Sequence, residues 1–479
     1  MILRLPAYPE YKDSGVEWLR ESPAHWDVRR LKYLVTINPA RDGQTVDPET
    51  LTTFLPMEKV GTRGEYDCTI QKKYSDVKQG FTYFAKGDLI VAKITPCFEN
   101  GKGALLDKLS TPFGFGSTEF IVLRTKRNID PKFVYYVTRS PIFRIRGSDA
   151  MSGSAGQQRV PVSFVENFPC FVPPIEEQAA IVRFLDALDR RVNRLLRIKR
   201  RLIVLLIEQK QAVIHRAVTK GLNPDALMKP SGIDWLGEIP AHWTVQRNNS
   251  LFFERIERGD AGLPILIVSL RSGITVSEET TDGRPRRLIE DRSGYRKATK
   301  GDIAYNTMRM WQGALGVSPV DGLVSPAYVI AAPRAGTSAQ FFAYLYRTAI
   351  YKSEINRVST GIVSDRNRLY WDDFKNLPSP VPPPAEQRHI VATLENEHTI
   401  IDKTIARAQT EIELIREYRT RLIADVVTGK LDVRDAILPD SFPDSEESAQ
   451  IPLDEADELD EMDGDAGEDD APTDEEEDF

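Results

Sequence analysis

PPIEEQAAIVRFLDALDRRV, residues 173–192, opens the segment that decides the fold, which runs to about Val218. It returns 209 positions later as PPPAEQRHIVATLENEHTII, residues 382–401. In the first copy apolar residues follow one another in steps of 4, 3, 4 and 3, at Ile181, Leu185, Leu188, Val192 and Leu195. This average of 3.5 is typical of a coiled-coil seam. The chain therefore contains one unit twice, and each copy carries a long helix with one narrow apolar edge.

The two helices begin with the signals that helix starts require. Proline is tolerated in the first turn, where backbone N–H groups have no helical partner. Glu176, Glu177 and Glu386 place negative charge beside the positive end of the helix dipole.

A second repeat precedes each helix. Residues 11–34, YKDSGVEWLRESPAHWDVRRLKYL, match residues 228–251, MKPSGIDWLGEIPAHWTVQRNNSL. The repeated His25 and His242 invite a catalytic or metal-binding interpretation, but no second ligand or nucleophile lies at useful spacing. We therefore predict two tryptophan-anchored arms in which the histidine makes a local hydrogen bond, and we take each arm as a domain boundary.

The overall charge of −8 averages two unlike regions. Residues 436–479 contain 20 of the 71 acidic residues and no lysine or arginine, so residues 1–435 hold 63 basic against 51 acidic groups, a net charge of +12. A basic body favours a polyanionic partner, although a merely solvated surface would have the same composition. The acidic segment is predicted to be a disordered tail, because its charges repel one another and it has little apolar area to bury.

Other sequence features limit the protein's class and compartment. The sequence lacks a membrane-length apolar run and an apolar core for a signal peptide, so we expect a soluble, cytoplasmic protein. Cys68, Cys97 and Cys170 have no paired spacing, which argues against a disulfide framework or a zinc site.

Between arm and helix lie about 140 residues in the first copy and about 130 in the second, rich in Gly, Pro, Thr and aromatic residues. Their short apolar runs predict mixed α/β domains with strands near 89–94, 120–124, 265–270 and 323–330 and helices near 131–140 and 339–351. Lys86-Gly87-Asp88 matches Lys300-Gly301-Asp302, and each is predicted to turn into a strand. Elsewhere the two interiors diverge too far to be aligned from sequence.

Polar and basic residues gather in glycine-containing loops of both domains. Arginine and lysine can bond guanine, asparagine and glutamine can bond adenine, and glycine lets the backbone approach phosphate. An ordinary polar loop has the same composition, so each residue is a candidate only. The candidate DNA contacts are Lys93, Thr95, Asn100, Lys102, Ser154, Gln157, Gln158 and Arg159 in the first domain, and Asn306, Arg309, Trp311, Gln312, Ser364, Arg366, Asn367 and Arg368 in the second.

The motifs that would indicate catalysis are absent from the sequence. No Gly-Lys-Ser/Thr ends a phosphate loop, and the Asn-Pro pairs at Asn38 and Asn223 lack the second proline and the aromatic residue of an amino-methyltransferase motif. Phe113-Gly-Phe-Gly116 opens no helix and is expected to be a strand turn rather than a cofactor loop. We therefore expect no catalytic, cofactor-binding or metal-binding residue in this chain.

The order of these features resembles the DNA specificity subunit of type I restriction-modification systems. The resemblance covers residues 11 to about 431 and rests on the repeated Trp-Leu and Pro-Ala-His-Trp arms, the two divergent domains and the two Pro-Pro-x-x-Glu-Gln helices. It implies a non-catalytic subunit whose two target recognition domains each read one half of a bipartite, asymmetric double-stranded DNA site. The acidic tail has no place in this family pattern.

The resemblance also implies partners and cofactors. The helices would dock two methyltransferase subunits, with Glu177, Gln178, Glu386 and Gln387 as partner contacts, and ATP-dependent restriction subunits would join the complex. S-adenosylmethionine, ATP and Mg would bind to those partners and not to this chain. A stand-alone DNA-binding regulator with a coiled-coil spacer is the alternative, and a methyltransferase is disfavoured by the missing motifs.

The connection between the two copies restricts how the helices can pair. A helix of about 43 residues is ~65 Å long, whereas Thr219–Leu227 spans at most about 30 Å. Parallel pairing would need a connection as long as the helix, so antiparallel pairing with pseudo-two-fold symmetry is predicted. The expected fold is α+β. Its segments are 1–172 (arm and first recognition domain), 173–219 (first helix), 220–381 (linker, arm and second recognition domain), 382–431 (second helix) and 436–479 (tail).

Overall fold

The structure is a computed structural model, and it describes residues 5–41, 45–154, 157–260, 262–270, 272–276, 294–360 and 367–436. The predicted tail therefore lies outside the described residues, except for Ala436. No described helix is long and apolar enough to cross a membrane.

The chain divides into two compact units, and the division falls inside both long helices. The first unit contains the chain up to Lys199 together with the segment from Thr410, and the second contains Arg200–Gln409. Each unit therefore consists of one arm, one α/β domain and parts of both long helices.

In the described part of the first unit, twelve strands and five short helices precede the first long helix. The strands are β1 Tyr11–Asp13, β2 Glu21–Pro23, β3 Asp27–Arg30, β4 Val35–Ile37, β5 Leu51–Leu55, β6 Gln71–Lys73, β7 Thr82–Ala85, β8 Leu89–Ala92, β9 Gly103–Leu105, β10 Phe113–Gly116, β11 Phe120–Thr125 and β12 Pro169–Val172. The helices are α1 Leu31–Leu34, α2 Tyr74–Val77, α3 Pro131–Arg139, α4 Pro141–Asp149, α5 Val162–Asn167 and the long α6 Ile175–Lys220.

The remainder of the chain repeats this series. Its strands are β13 Met228–Pro230, β14 Glu238–Pro240, β15 Thr244–Arg247, β16 Phe252–Glu254, β17 Leu266–Ser269, β18 Gly273–Val276, β19 Arg296–Ala298, β20 Ile303–Asn306, β21 Leu315–Val317, β22 Gly322–Val324, β23 Tyr328–Pro333 and β24 Pro378–Val381. Its helices are α7 Asn248–Leu251, α8 Ala339–Tyr346, α9 Ala349–Val358, α10 Trp371–Phe374 and the long α11 Pro384–Val427.

The two domains share one sheet, although their sequences could not be aligned. The first domain has a four-stranded sheet in the order β4-β11-β8-β9, and the second repeats it as β16-β23-β20-β21. The register is also the same, because Phe120 pairs with Ala92 in one sheet and Tyr328 pairs with Asn306 in the other. β11 and β8 are buried along most of their length, which places the core of each domain on this sheet.

The second sheet of each domain differs. In the first domain β6-β5-β10-β7 form a four-stranded sheet with a parallel β5–β10 pair. In the second domain the described strands form two separate pairs, β17-β18 and β19-β22.

The predicted turns before β8 and β20 are confirmed, and both have the same internal support. Gly87 and Gly301 have φ of 90° and 93°, which glycine adopts without steric cost. The aspartate that follows is buried, and it accepts a hydrogen bond from Ala85 N in the first domain and from Thr299 N in the second. Arg124 pairs with Asp88 at 2.7 Å and Arg255 pairs with Asp302 at 2.7 Å. The two arginines come from different strand positions, so this equivalence could not be read from the sequence.

The arms are anchored by tryptophan as predicted, but the histidine partner is not local. Trp26 and Trp243 are fully buried. His25 contacts Glu177 at 2.8 Å, and the Trp26 indole N–H donates to the same carboxylate at 3.0 Å. This glutamate lies 152 positions from His25, in the first turn of α6. The arm is therefore tied to the long helix.

The long helices form where they were predicted, and one predicted seam position is wrong. In α6 Ile181, Leu185, Leu188 and Val192 are buried as expected, but Leu195 is 40% exposed and Leu196 is buried instead. The buried positions continue from Val192 in steps of four, through Leu196 to Arg200. A straight helix with 3.6 residues per turn drifts away from a strict 3.5 repeat in this direction.

Three predicted elements need correction. The strand predicted over 323–330 is two strands, β22 and β23, because Pro326 lies in the turn between them. The helix predicted over 339–351 is two helices, α8 and α9, and Thr348 is the N-cap residue of the second. Phe113–Gly116, predicted as a strand turn, is a full strand that pairs with β5 and β7.

Candidate nucleic-acid interface

The structure brings together the two candidate loops of the first domain. Ile94 and Ser152 both form isolated bridges with Arg159. The Thr95 hydroxyl accepts a hydrogen bond from Gln158 N at 3.2 Å, and Thr95 N donates to the Gln158 carbonyl at 3.0 Å. Residues that are about 60 positions apart therefore form one surface patch.

The candidate side chains of this patch differ in how accessible they are. Asn100, Ser154, Gln157 and Arg159 are exposed, whereas Lys93, Thr95 and Gln158 are half-buried. Lys102 is half-buried, and its Nζ donates to the Met57 carbonyl at 3.3 Å, which directs it inward.

The second domain builds the same patch from different residues. Leu369 N donates to the Thr307 carbonyl at 2.9 Å, as Val160 N donates to the Lys93 carbonyl at 2.8 Å in the first domain. The bridge between Thr360 and Arg368 repeats the bridge between Ser152 and Arg159. Arg368 is therefore the structural counterpart of Arg159.

The second patch contains structural as well as accessible candidates. Asn306 is buried, and its side-chain oxygen accepts from Met308 N at 2.9 Å, so it shapes the loop. Gln312 and Arg368 are exposed, and Arg309 is half-buried. Trp311 Nε1 donates to the Met308 carbonyl at 2.9 Å, and Asn367 Nδ2 donates to Asn356 at 2.9 Å. Ser364 and Arg366 lie outside the described residues.

Two half-buried arginines that the sequence analysis missed donate hydrogen bonds to the backbone of these loops. Arg144, on α4, donates to the carbonyls of Glu99 and Gly101 at 3.4 and 3.2 Å. Arg347, at the end of α8, donates to the carbonyls of Gly313 and Leu270 at 3.2 and 2.7 Å. Burial lowers the pKa of Arg144 to about 10 and also lowers the pKa of Arg347. Arg144 lies on α4 and Arg347 caps the end of α8, outside the glycine-containing loops, so no sequence pattern indicated this role.

Glu119 is a second residue that the sequence analysis missed. It lies just before β11, and its carboxylate accepts three hydrogen bonds from the Arg159 guanidinium at 2.9–3.2 Å. These hydrogen bonds hold the pKa of Glu119 below its ordinary value, and the nearby charge of Lys93 acts in the same direction. The pair joins residues 40 positions apart, which no sequence spacing indicated.

The four predicted partner contacts are engaged within the chain. Glu177 is buried and accepts hydrogen bonds from Tyr8, His25 and Trp26 at 2.5–3.0 Å. Glu386 accepts from His242 and Trp243 at 2.7 and 3.1 Å.

The two glutamines are buried and make matching contacts. The Gln178 side-chain oxygen accepts from Asp130 N at 2.9 Å, and that of Gln387 accepts from Ser338 N at 2.8 Å. Asp130 and Ser338 are the N-cap residues of α3 and α8. The Glu-Gln pair thus joins each long helix to its arm and to its domain, and its contact with a partner protein stays a prediction.

Within the described residues no group of three or more His, Cys, Asp or Glu side chains is placed to hold a metal ion.

Known proteins are similar to this chain in sequence and in fold. Residues 23–203 match the family described as type I restriction modification DNA specificity domain. A putative type I restriction enzyme MjaX specificity subunit from Methanocaldococcus jannaschii is 23% identical over 457 residues, which cover 91% of this chain and all of that protein. Residues 23–203 of this chain are a type I restriction modification DNA specificity domain.

Two relatives within this family have higher identity over a shorter stretch. The type I restriction enzyme EcoAI and EcoEI specificity subunits of Escherichia coli are each 42% identical over 165 residues, or 34% of this chain. The chain spans little more than a quarter of the length of those two relatives, 28% and 27%.

Solved structures share the fold of this chain. The HsdS subunit from Thermoanaerobacter tengcongensis is 20% identical with a TM-score of 0.52, and the match covers 86% of this chain and 98% of that one. A chain from a study of complex assembly and conformational transition of the type I R-M system is 20% identical with a TM-score of 0.65, covering 86% and 99%. At this identity the likeness concerns the fold alone.

Proposed function

We propose that this specificity subunit recognises a bipartite, asymmetric double-stranded DNA site and that each domain reads one half of it. The observation that carries the proposal is one framework built twice with different loop chemistry. The sheet order, the sheet register and the arginine at the base of the second loop are repeated. Lys93 and Glu119 of the first patch are replaced by Thr307 and Ala327 in the second. Equal scaffolds with unequal side chains suit the recognition of two different sequences.

The charge of the chain supports a nucleic-acid partner. Residues 1–435 have a net charge of +12, and lysine or arginine groups that neutralise phosphates release counterions, which favours binding. Exposed basic residues close to the loops would position the duplex, while amide and guanidinium groups on the loops would contact base edges.

We propose further that the two long helices pair as an antiparallel coiled coil. Two ion pairs in the first unit support this, because Asp189 contacts Arg419 at 2.8 Å and Lys199 contacts Glu411 at 2.6 Å. As the residue number rises on α6 it falls on α11, which is antiparallel order. The short connection Thr219–Leu227 excludes a parallel pair on length alone.

The partners that we propose are two methyltransferase subunits and ATP-dependent restriction subunits. A run of apolar residues on α6 is exposed in this chain, and such patches mark interaction surfaces: Leu195, Ile198, Leu202, Leu205 and Ile207 are 38–53% exposed. Methyl transfer with S-adenosylmethionine, and cleavage with ATP and Mg, would take place on those partners. This chain would supply recognition and no catalytic group.

A domain exchange tests whether each domain reads one half of the DNA site. Residues 30–165 are replaced with the corresponding domain of a relative, and the methylated motif of the complex is mapped by single-molecule sequencing. We expect one half of the motif to change and the other half to stay. The matched control exchanges residues 247–374, which should change only the opposite half. A change in both halves after either exchange would contradict independent reading.

A second measurement separates this function from the two alternatives. The purified chain alone should transfer no methyl group from S-adenosylmethionine, and methylation should appear when the modification subunits are added. Methylation by the isolated chain would indicate a methyltransferase. Specific DNA binding with no effect of added modification subunits would indicate a stand-alone regulator.

A further inference from the structure

In the first domain the guanidinium group of Arg159 is held in place by the carboxylate of Glu119. Arg159 Nε donates to the two Glu119 carboxylate oxygens at 3.2 and 2.9 Å, and Nη2 donates to Oε1 at 2.9 Å. Glu119 therefore occupies one whole side of the guanidinium group. The Glu119 side chain is 22% exposed and that of Arg159 is 45% exposed, so the arginine can still be approached from outside.

Glu119 leaves part of the Arg159 guanidinium group available to donate hydrogen bonds to another molecule. A guanidinium group carries five N–H donors in a fixed plane. Glu119 takes the Nε–H and one N–H of Nη2, and Nη1 donates once, at 3.4 Å, to the Gln157 carbonyl. One N–H on Nη1 and one on Nη2 have no acceptor among the described residues, and the outer end of a guanidinium group presents one N–H of each terminal nitrogen in parallel. Two parallel donors of this kind match O6 and N7 of guanine in the major groove.

The second domain provides an internal comparison. Arg368 occupies the place of Arg159, and Ala327 occupies the place of Glu119, because the sheets have the same register. Arg368 is exposed, and no side-chain hydrogen bond or ion pair joins it to the part of the chain that the structure describes. The same backbone position thus holds one arginine that a carboxylate fixes and one arginine whose side chain no described residue holds.

We infer that Glu119 is a positioning residue that fixes Arg159 to read a single guanine in the half-site of the first domain. The inference rests on the proposed function. Arg368 contributes positive charge to the second domain without selecting a base at this position.

The physical reason is the entropy of a long side chain. An arginine on the surface loses rotamer freedom when it binds, and this loss reduces the affinity gained from each contact. Glu119 removes that freedom before DNA arrives, since three hydrogen bonds and opposite charge hold the guanidinium plane. A donor pair with a fixed direction then loses its match when guanine is replaced, because one or both N–H groups are left without an acceptor. An arginine that moves freely can instead turn to a phosphate and keep its affinity.

The test uses the full chain in complex with its modification subunits. The methylated motif is mapped for the wild type and for Glu119→Gln, Arg159→Lys and the matched control Arg368→Lys. Glu119→Gln keeps the shape of the side chain but removes the charge that holds Arg159. Arg159→Lys keeps the positive charge but removes the planar donor pair.

We expect both first-domain variants to lose discrimination at one G·C pair of one half-site, by about tenfold. The opposite half-site should stay unchanged in both variants. Arg368→Lys should leave the preference at every position unchanged.

Three results would overturn the inference. These are an unchanged motif in both first-domain variants, an equal loss at all positions, or a loss in both half-sites. If Glu119→Gln does not fold, Arg159→Lys decides alone, because it leaves the net charge and the backbone unaltered. Failure of the wild-type complex to methylate a bipartite motif would instead refute the proposed function, so the two failures can be told apart.

Discussion

Asp189 and Arg419 in the first unit occupy the same helix positions as His398 and Lys210 in the second, 209 residues apart in each case. In the first unit the carboxylate accepts from Arg419 Nε at 2.8 Å, and the Tyr136 hydroxyl lies 3.4 Å away. In the second unit Tyr344, the counterpart of Tyr136, packs edge-on against His398, and Lys210 bonds Asp402 at 2.7 Å instead. One junction of domain and helix is ionic, and its counterpart is aromatic.

This difference separates what the duplication preserves from what it leaves free. The helix starts and the arms are the same in both units because each depends on local sequence patterns that both copies retain, and the four-stranded sheet is also repeated although its sequence has diverged. At the junction of Asp189 with Arg419 both partners differ from their counterparts His398 and Lys210, since an unpaired buried charge is costly and a partner must change with it. The predictions below test this contrast, beginning with the largest effect.

Asp189→Ala should produce the largest loss of stability. The side chain of Arg419 is only 10% exposed, and removing Asp189 takes away the carboxylate that pairs with it. The expected cost is about 3 kcal/mol in the free energy of opening the first unit. Hydrogen exchange of peptides from α3 and from the start of α6 would measure it. The matched control, His398→Ala, removes no ion pair and should cost less. Equal costs would remove the contrast between the two junctions.

Glu177→Ala should have the next largest effect. It removes the acceptor for Tyr8, His25 and Trp26 from a buried site, at an expected cost of about 2 kcal/mol. The counterpart Glu386→Ala should cost about 1 kcal/mol of stability. Glu386 is 27% exposed, and among the described residues it accepts side-chain hydrogen bonds from His242 and Trp243 only. Protease sensitivity and hydrogen exchange of the two arms would provide the comparison. A larger effect at Glu386 would contradict the expected order.

Ala327→Glu should give the second domain a carboxylate–arginine pair equivalent to Glu119 and Arg159 of the first domain. The new carboxylate would lie beside Arg368, and we expect a new preference of about tenfold for a G·C pair in the second half-site. Methylome mapping of the complex would detect it, and Ala327→Gln is the control without charge. No change with glutamate would mean that the two patches face DNA differently.

The smallest effect should be a pH dependence that is confined to the second unit. Burial, and then the charge of Lys210, lower the pKa of His398 below its ordinary value of 6.5, while Asp402 opposes the shift. The unfolded chain therefore binds the proton more readily than the folded chain. Stability should be complete above about pH 6.5 and should fall as the pH drops through and below that value.

Hydrogen exchange of α8 peptides at about pH 8 and about pH 5 would reveal this dependence. His398→Gln should weaken it. A pH response of α8 that is unchanged in that variant would assign the titration to another group.

Much of the architecture could be predicted from the sequence because repeated local patterns determine it. The helices begin at the repeated Pro-Pro-x-x-Glu-Gln, the arms bury Trp26 and Trp243, and the turns at Gly87 and Gly301 lead into strands. The candidate loops were also found, since glycine and polar composition marks loops, and the structure joins the two candidate loops within each domain.

The remaining features depend on contacts between distant residues, which composition and spacing do not encode. Leu195 was predicted to be buried from a 3.5-residue period, but the drift of a straight helix exposes it and buries Leu196. The common sheet of the two domains became evident only from strand pairing, because different side chains can fill equivalent core positions.

By itself, the sequence determined the duplication, the arms, the long helices and the basic character of residues 1–435. Only the tertiary structure decided that Glu119 holds Arg159, whereas Ala327 at the equivalent position offers Arg368 no carboxylate. It also decided that Asp189 pairs with Arg419, at the positions where the second unit has His398 and Lys210. The physical reason is that local patterns specify backbone conformation, whereas a hydrogen bond or an ion pair between residues 40 or 230 positions apart exists only once the backbone has folded.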